Sequence, residues 1–153
     1  MRALILVAAA LAACTAQPAK QEETPAAETT ASAAAPGTQD SNLAQMPSWE
    51  NARAAGVDFR AVGQEPGWMV DIYTANRIVA LLDYGESLIE FPRPEPSYPV
   101  EGSTSYQTQA DGHTLSITIR RSPCQDAMSG EAYPTTVDVV VDGRALNGCG
   151  RSV

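Results

Sequence analysis

Apolar and polar positions are arranged in two ways along this chain. Behind Met1-Arg2, residues 3–13 form an unbroken apolar run. That run is too short to cross a bilayer as a helix and has the length of a signal-peptide core. From residue 59 onward the pattern changes to short runs of period two, the mark of strands with one buried face. Residues 59–63 form a short extended run. Trp68, Val70 and Ile72 alternate with Met69, Asp71 and Tyr73. Residues 78–84 are almost continuously apolar, which predicts a strand buried on both faces. Residues 88–91 make another short strand, and the Pro-rich stretch 93–99 is excluded from any central strand. Residues 103–109 and 113–121 flank Asp111-Gly112, a strong hairpin signal. In the second of these Leu115, Ile117 and Ile119 share a face. Val137, Val139 and Val141 are in phase within 135–141, and Asp142-Gly143 turns the chain into 144–149.

This makes about eight short strands joined by turns, with no helix between them. The expected fold is mainly β, a small antiparallel barrel or sandwich, either of which limits exposed edges. A short helix is expected at its start over 49–55, with Ser48 as N-cap, Glu50 near the positive end and Gly56 as the stop.

The apolar run ends in Leu11-Ala12-Ala13-Cys14, which looks like a bacterial lipobox. The expectation is a signal peptide over 1–13, a diacylglycerol on the Cys14 thiol, and attachment to a membrane through that lipid rather than by a span. Thr15, not Asp, follows Cys14, which resembles lipoproteins sent on to the outer membrane and points to a domain facing the periplasm. Residues 14–47 read as a disordered tether, rich in Ala, Thr, Gln, Glu and Pro. As a coil it would hold the domain roughly 30–35 Å from the lipid. The folded domain is then 48–153. With Cys14 lipidated, Cys124 and Cys149 remain as a pair in an oxidising compartment, so a disulfide is expected. It would close a loop of about 25 residues and stabilise by roughly 3–4 kcal/mol on the chain-entropy account.

Charge and chemistry narrow the function. The formal net charge is −8, nine of the ten basic residues are Arg, and Lys20 is the sole lysine. No basic cluster exists, which argues against nucleic acid; a basic protein partner is electrostatically allowed. His113, the single histidine, follows the Asp111-Gly112 turn and reads as a hairpin surface residue. Ser129 lacks a nucleophile-elbow context. Asp126 and Glu131 could be two carboxylates in one loop, but glycoside hydrolysis also needs a cleft lined with aromatics and a defined separation, and the loop falls short of a Ca²⁺ ligand set. No enzyme, cofactor or metal is therefore expected. Asp126 suits the capping of local backbone N–H groups. Trp68 reads as core, with a pocket at a barrel mouth lined by Trp68, Tyr73, Tyr84 and Tyr133 as the alternative.

Three segments stand out: Phe-Arg-Ala-Val-Gly-Gln-Glu-Pro-Gly-Trp at 59–68, Cys-Gln-Asp-Ala-Met-Ser-Gly-Glu-Ala-Tyr-Pro at 124–134, and Asn-Gly-Cys-Gly-Arg at 147–151, with Gly-Cys-Gly at its centre. Together they resemble a family of small proteobacterial envelope proteins and lipoproteins. The resemblance covers about residues 48–151 and carries no activity with it. At the level of fold the pattern is similar to the META domain of heat-shock lipoproteins and to membrane-bound inhibitors of c-type lysozyme. Ser129-Gly130-x-x-Tyr133 resembles a stretch of those inhibitors, and c-type lysozymes are basic. The inhibitors also insert a Lys into the lysozyme cleft, and 48–153 contains none. Arg144 or Arg151 would have to substitute with a wider, flatter group. The leading expectation is a non-enzymatic envelope binding or structural module, with the loop of Asp126, Ser129, Gly130, Glu131 and Tyr133 as its contact surface. Lysozyme inhibition and small-ligand or Ca²⁺ binding are the alternatives.

Overall fold

The computed structural model describes the backbone of residues 36–153 and the side chains from Asp40 onward. The signal peptide, Cys14 and the tether as far as residue 35 lie outside the described residues. A helix, α1 (Pro36–Leu43), comes first, then β1 (Val57–Gly63), β2 (Trp68–Tyr73), β3 (Arg77–Leu82) and β4 (Ser87–Pro92). β5 (Ser103–Ala110), β6 (His113–Arg120), the two-residue strands β7 (Cys124–Gln125) and β8 (Ala132–Tyr133), β9 (Thr135–Val141) and β10 (Arg144–Ser152) follow. β7 pairs only with β8. The other eight strands form one antiparallel sheet in the order β4-β3-β2-β1-β10-β9-β6-β5, rolled into a nearly closed barrel.

The seam between β4 and β5 is bridged by side chains. Thr108 donates its hydroxyl to the Pro92 carbonyl at 2.8 Å. Arg93 donates to the Tyr73 carbonyl at 2.5 Å and to the Tyr106 hydroxyl at 3.4 Å. Ser97 pairs with Ser105 along the outer edge of β5.

Alternation decides the interior. Trp68, Val70 and Ile72 from β2 meet Ile117 from β6 and Val137, Val139 and Val141 from β9 in one buried cluster. Each such side chain stabilises by about 1.5–3 kcal/mol when fully buried. Gly148 and Gly150 of β10 fall on this inner face. A Cβ at Gly148 would run into the Val62 carbonyl and the Trp68 ring, and one at Gly150 would lie 2.5 Å from Phe59 Cζ. The two aromatic rings occupy the space that the glycines leave. Cys149, between them, is thereby turned outward and is disulfide-bonded to Cys124.

A second cluster covers the outer face of β1 to β3. Val79 and Leu81 pack there with Met46, Ala52, Val57 and Tyr73. β3 is therefore buried on both faces, as its continuous apolar run predicts, although it ends at Leu82 and gives way to a 3-10 turn over Asp83–Gly85. Under the same cover lies an ion pair. Arg60 and Asp71, cross-strand partners on β1 and β2, are 1% and 0% exposed and joined by two bonds of 2.6 Å. The guanidinium also donates to the Pro47 carbonyl at 2.7 Å and lies 4.9 Å from the Trp49 ring.

The start of the domain differs from expectation in two respects. Residues 49–55 form a succession of turns, with bonds such as Asn51 N–H to the Ser48 carbonyl at 3.2 Å, and no helix. Met46, Ala52, the Pro47 carbonyl and Trp49 must all reach the barrel wall at once, and that demand overrides local helix propensity. The helix lies upstream, over Pro36–Leu43, within the expected tether. Its Asn42 amide donates to the carbonyls of Gly85 and Glu86 at 3.0 and 3.1 Å. With Met46 8% exposed, residues 42–47 belong to a strap seated on the barrel.

Candidate functional site

A groove of about 520 Å³ lies beside the disulfide, within the size range of small-ligand sites. One wall is the outer face of β6, β9 and β10, where Arg120, Thr136, Asp138 and Asn147 alternate with the valines that fill the barrel. The opposite wall is the turn after β1, with Gln64 and Glu65. Cys124 to Ala127 of the disulfide-bonded loop form the roof, and Gly63, Gly148 and Cys149 the floor. Glu65 has a φ of 58°, a conformation that costs a non-glycine residue free energy and persists only where its surroundings enforce it.

The groove's polar groups hold one another in place. Asp138 accepts from Arg120 and from the Asn147 amide, the latter at 2.7 Å. Gln64 donates to Asp126 Oδ2 at 3.3 Å, and Gln125 donates to the Gly130 carbonyl at 3.1 Å.

Asp126 is buried and organises the loop. Its Oδ1 accepts from the Ser129 N–H at 2.7 Å, the Ser129 hydroxyl at 2.8 Å and the Met128 N–H at 3.2 Å. The Ser129 N–H above all, then its hydroxyl, hold the Asp126 carboxyl below the usual range. This is local backbone capping. Ser129 spends its hydroxyl on that bond and accepts the Glu131 N–H at 3.2 Å. Gly130 takes the positive φ of 70° that the turn needs. Glu131 receives Arg151 at 2.5 Å and the Tyr133 hydroxyl at 3.0 Å; Arg151, then Tyr133, lower its carboxyl. Burial, then Glu131, raises the Tyr133 phenol. Arg151 also lies 4.3 Å from the Trp49 ring and 5.1 Å from that of Tyr133, so the loop, the last strand and the strap share one contact.

The residues singled out in the sequence thus fall into two groups. Asp126 reaches the groove, with Cys124 and Cys149. Ser129, Gly130, Glu131 and Tyr133 turn toward the loop itself and Arg151. The four aromatics proposed for a barrel mouth do not converge: Trp68 lies in the inner core, Tyr73 under the strap, Tyr133 against Arg151, and Tyr84 is exposed. His113 Nδ1 lies 2.7 Å from Asp142, away from the groove. His113, then the Thr114 N–H, keep the Asp142 carboxyl low. Arg144 is paired in bidentate fashion with Asp83 at 2.7 and 3.0 Å. Among the described residues no cluster of His, Cys, Asp and Glu could hold a metal ion.

Sequence reasoning missed Arg120, Thr136 and Asp138, and set Asn147 apart only as the start of the 147–151 segment, without a role. The available signal was phase: they are the outward positions of strands whose inward positions are apolar. Comparisons with protein-family models, curated proteins and solved structures give no match for this chain.

Proposed function

We propose that this protein is a non-enzymatic, lipid-anchored envelope module that binds its ligand in the groove beside the Cys124–Cys149 disulfide. One observation carries the reading. Three motifs far apart in the chain converge on that groove: the first brings Gly63, Gln64 and Glu65, the second Cys124 to Ala127, the third Gly148 and Cys149. Folding needs the glycines and the disulfide there, but it does not need an open groove above them, largely carbon-lined and edged by amide, hydroxyl and charged groups. The usual nucleophiles are engaged elsewhere: the cysteines in their disulfide, Ser129 on Asp126, and His113 on Asp142. A lipid anchor and a periplasm-facing orientation fit such a module, since the tether would let it sample bound or passing ligand near the membrane.

The test is in-cell photo-cross-linking with the probe residue at Gln125, on the groove, or at Ala54, exposed on the strap. The expected result is an adduct of defined mass from position 125 and none from position 54. Equal labelling at both positions, or none at either, would refute the assignment.

A further inference from the structure

The chemistry of the walls narrows the ligand. We infer that the groove takes a neutral, hydroxyl-rich ligand, a glycan segment of about disaccharide size. The inference rests on the binding-module reading and adds the ligand's class.

Three amide side chains line the groove, and each is fixed by one internal bond through its nitrogen: Gln64 to Asp126, Gln125 to Gly130, Asn147 to Asp138. Each bond biases the side chain's orientation before a ligand arrives, which lowers the cost of binding. Among the described residues, nothing donates to the carbonyl oxygens of these amides, and the Glu65 carboxylate and Thr136 hydroxyl have no partner. Each amide nitrogen keeps a second N–H, and Arg120 keeps donors beyond the one given to Asp138. The groove thus presents acceptors beside donors along a lining that is mostly carbon.

A hydroxyl both donates and accepts, so a polyol satisfies such a mixed wall at every position. Other classes fit less well. An anion meets Glu65, Asp126 and Asp138 against a single guanidinium. A cation finds Asp138 taken by Arg120 and Asp126 spent on Ser129, and meets Glu65 alone as an unpaired carboxylate. A purely apolar ligand would strand the oriented amides without partners. Gly63, Gly148 and Cys149 in the lining offer carbon and sulfur to the C–H face of a sugar ring. At about 520 Å³ the space suits two sugar rings rather than a long chain.

The test is a titration of the ¹⁵N-labelled full chain, in a detergent without a sugar headgroup, with maltose and with N,N′-diacetylchitobiose. Saturable, concerted shifts of the Gln64, Gln125 and Asn147 side-chain amide resonances are expected with at least one disaccharide. Glu65→Gln and Gln125→Ala should each weaken that binding about fivefold or more, and Gln109→Ala, remote from the groove, should leave it unchanged. No saturable shift with either sugar up to about 20 mM, well beyond a millimolar Kd, overturns the inference. So does a response of the same resonances to the peptide acetyl-Gly-Arg-Gly-Arg-amide in place of the sugars. If sugars fail while cross-linking from Gln125 still captures a partner, the ligand class is wrong and the binding site stands. If both fail, the functional reading falls with it.

Discussion

Replacing Asp71 by Asn perturbs the most deeply buried charge in the molecule. Arg60 and Asp71 are 1% and 0% exposed and meet through two bonds of 2.6 Å. Asparagine keeps the volume and one acceptor oxygen but removes the countercharge and puts an NH2 donor where the second carboxylate oxygen accepted, leaving a buried guanidinium without an ion partner beside the Pro47 carbonyl and the Trp49 ring. Breaking a buried pair from one side costs about 3–5 kcal/mol. Arg60→Met should cost a similar amount, because it strands the carboxylate and leaves the Pro47 carbonyl without its donor. Replacing both, Arg60→Met with Asp71→Leu, removes both desolvation penalties, and the double variant should fall within about 2 kcal/mol of the parent. Urea unfolding of the full chain, followed by the fluorescence of Trp49 and Trp68, reads this directly. At a slope near 2 kcal/mol/M each single change should lower the midpoint by about 1.5–2.5 M. Singles that each cost less than 1 kcal/mol, or a double variant whose loss equals the sum of the singles, would refute the reasoning.

Other consequences are as sharp. Gly148→Ala forces a methyl group into the Val62 carbonyl and the Trp68 ring; a loss of about 3 kcal/mol or more is expected in the same urea assay, with altered Trp68 emission. Replacing Cys124 and Cys149 together by Ser should cost roughly 3–4 kcal/mol and loosen the groove roof, seen as faster amide exchange over 124–130 than over β9. The Asp126 carboxyl sits below its ordinary value when folded. Its contribution is therefore complete above the unfolded pKa near 4 and is lost as pH falls through the lower folded value. Asp126→Asn should be less stable than the parent at pH 6, with the gap narrowing as pH falls below the unfolded value near 4, on acid titration by circular dichroism.

The barrel was legible because its code is local. Period-two runs and Asp-Gly turns mark strands in any context, and seven of the eight sheet strands lie within two residues of where the pattern puts them at both ends. β1 begins two residues early because Val57 packs under the strap, and β10 runs on to Ser152 because Arg60 and Phe59 of β1 pair with it. The disulfide followed from counting cysteines. The strap was not legible, because its composition is that of a linker. What seats it is the Arg60 guanidinium, the Asn42 amide and the space beside Val79, all set by residues distant in sequence. The site was legible in half. Asp126 and the cysteines stand out as types, whereas Arg120, Thr136, Asp138 and Asn147 are ordinary outward residues that matter because β6, β9 and β10 lie side by side.

The central claim is that the groove, not the loop tip, meets the ligand. The most direct measurement is in-cell cross-linking from Gln125 in the parent and in Asn147→Trp, where an indole fills the cavity from its β10 wall. The account predicts an adduct in the parent that disappears in the variant, with the variant still folded by circular dichroism. An adduct of undiminished yield in the folded variant would contradict it.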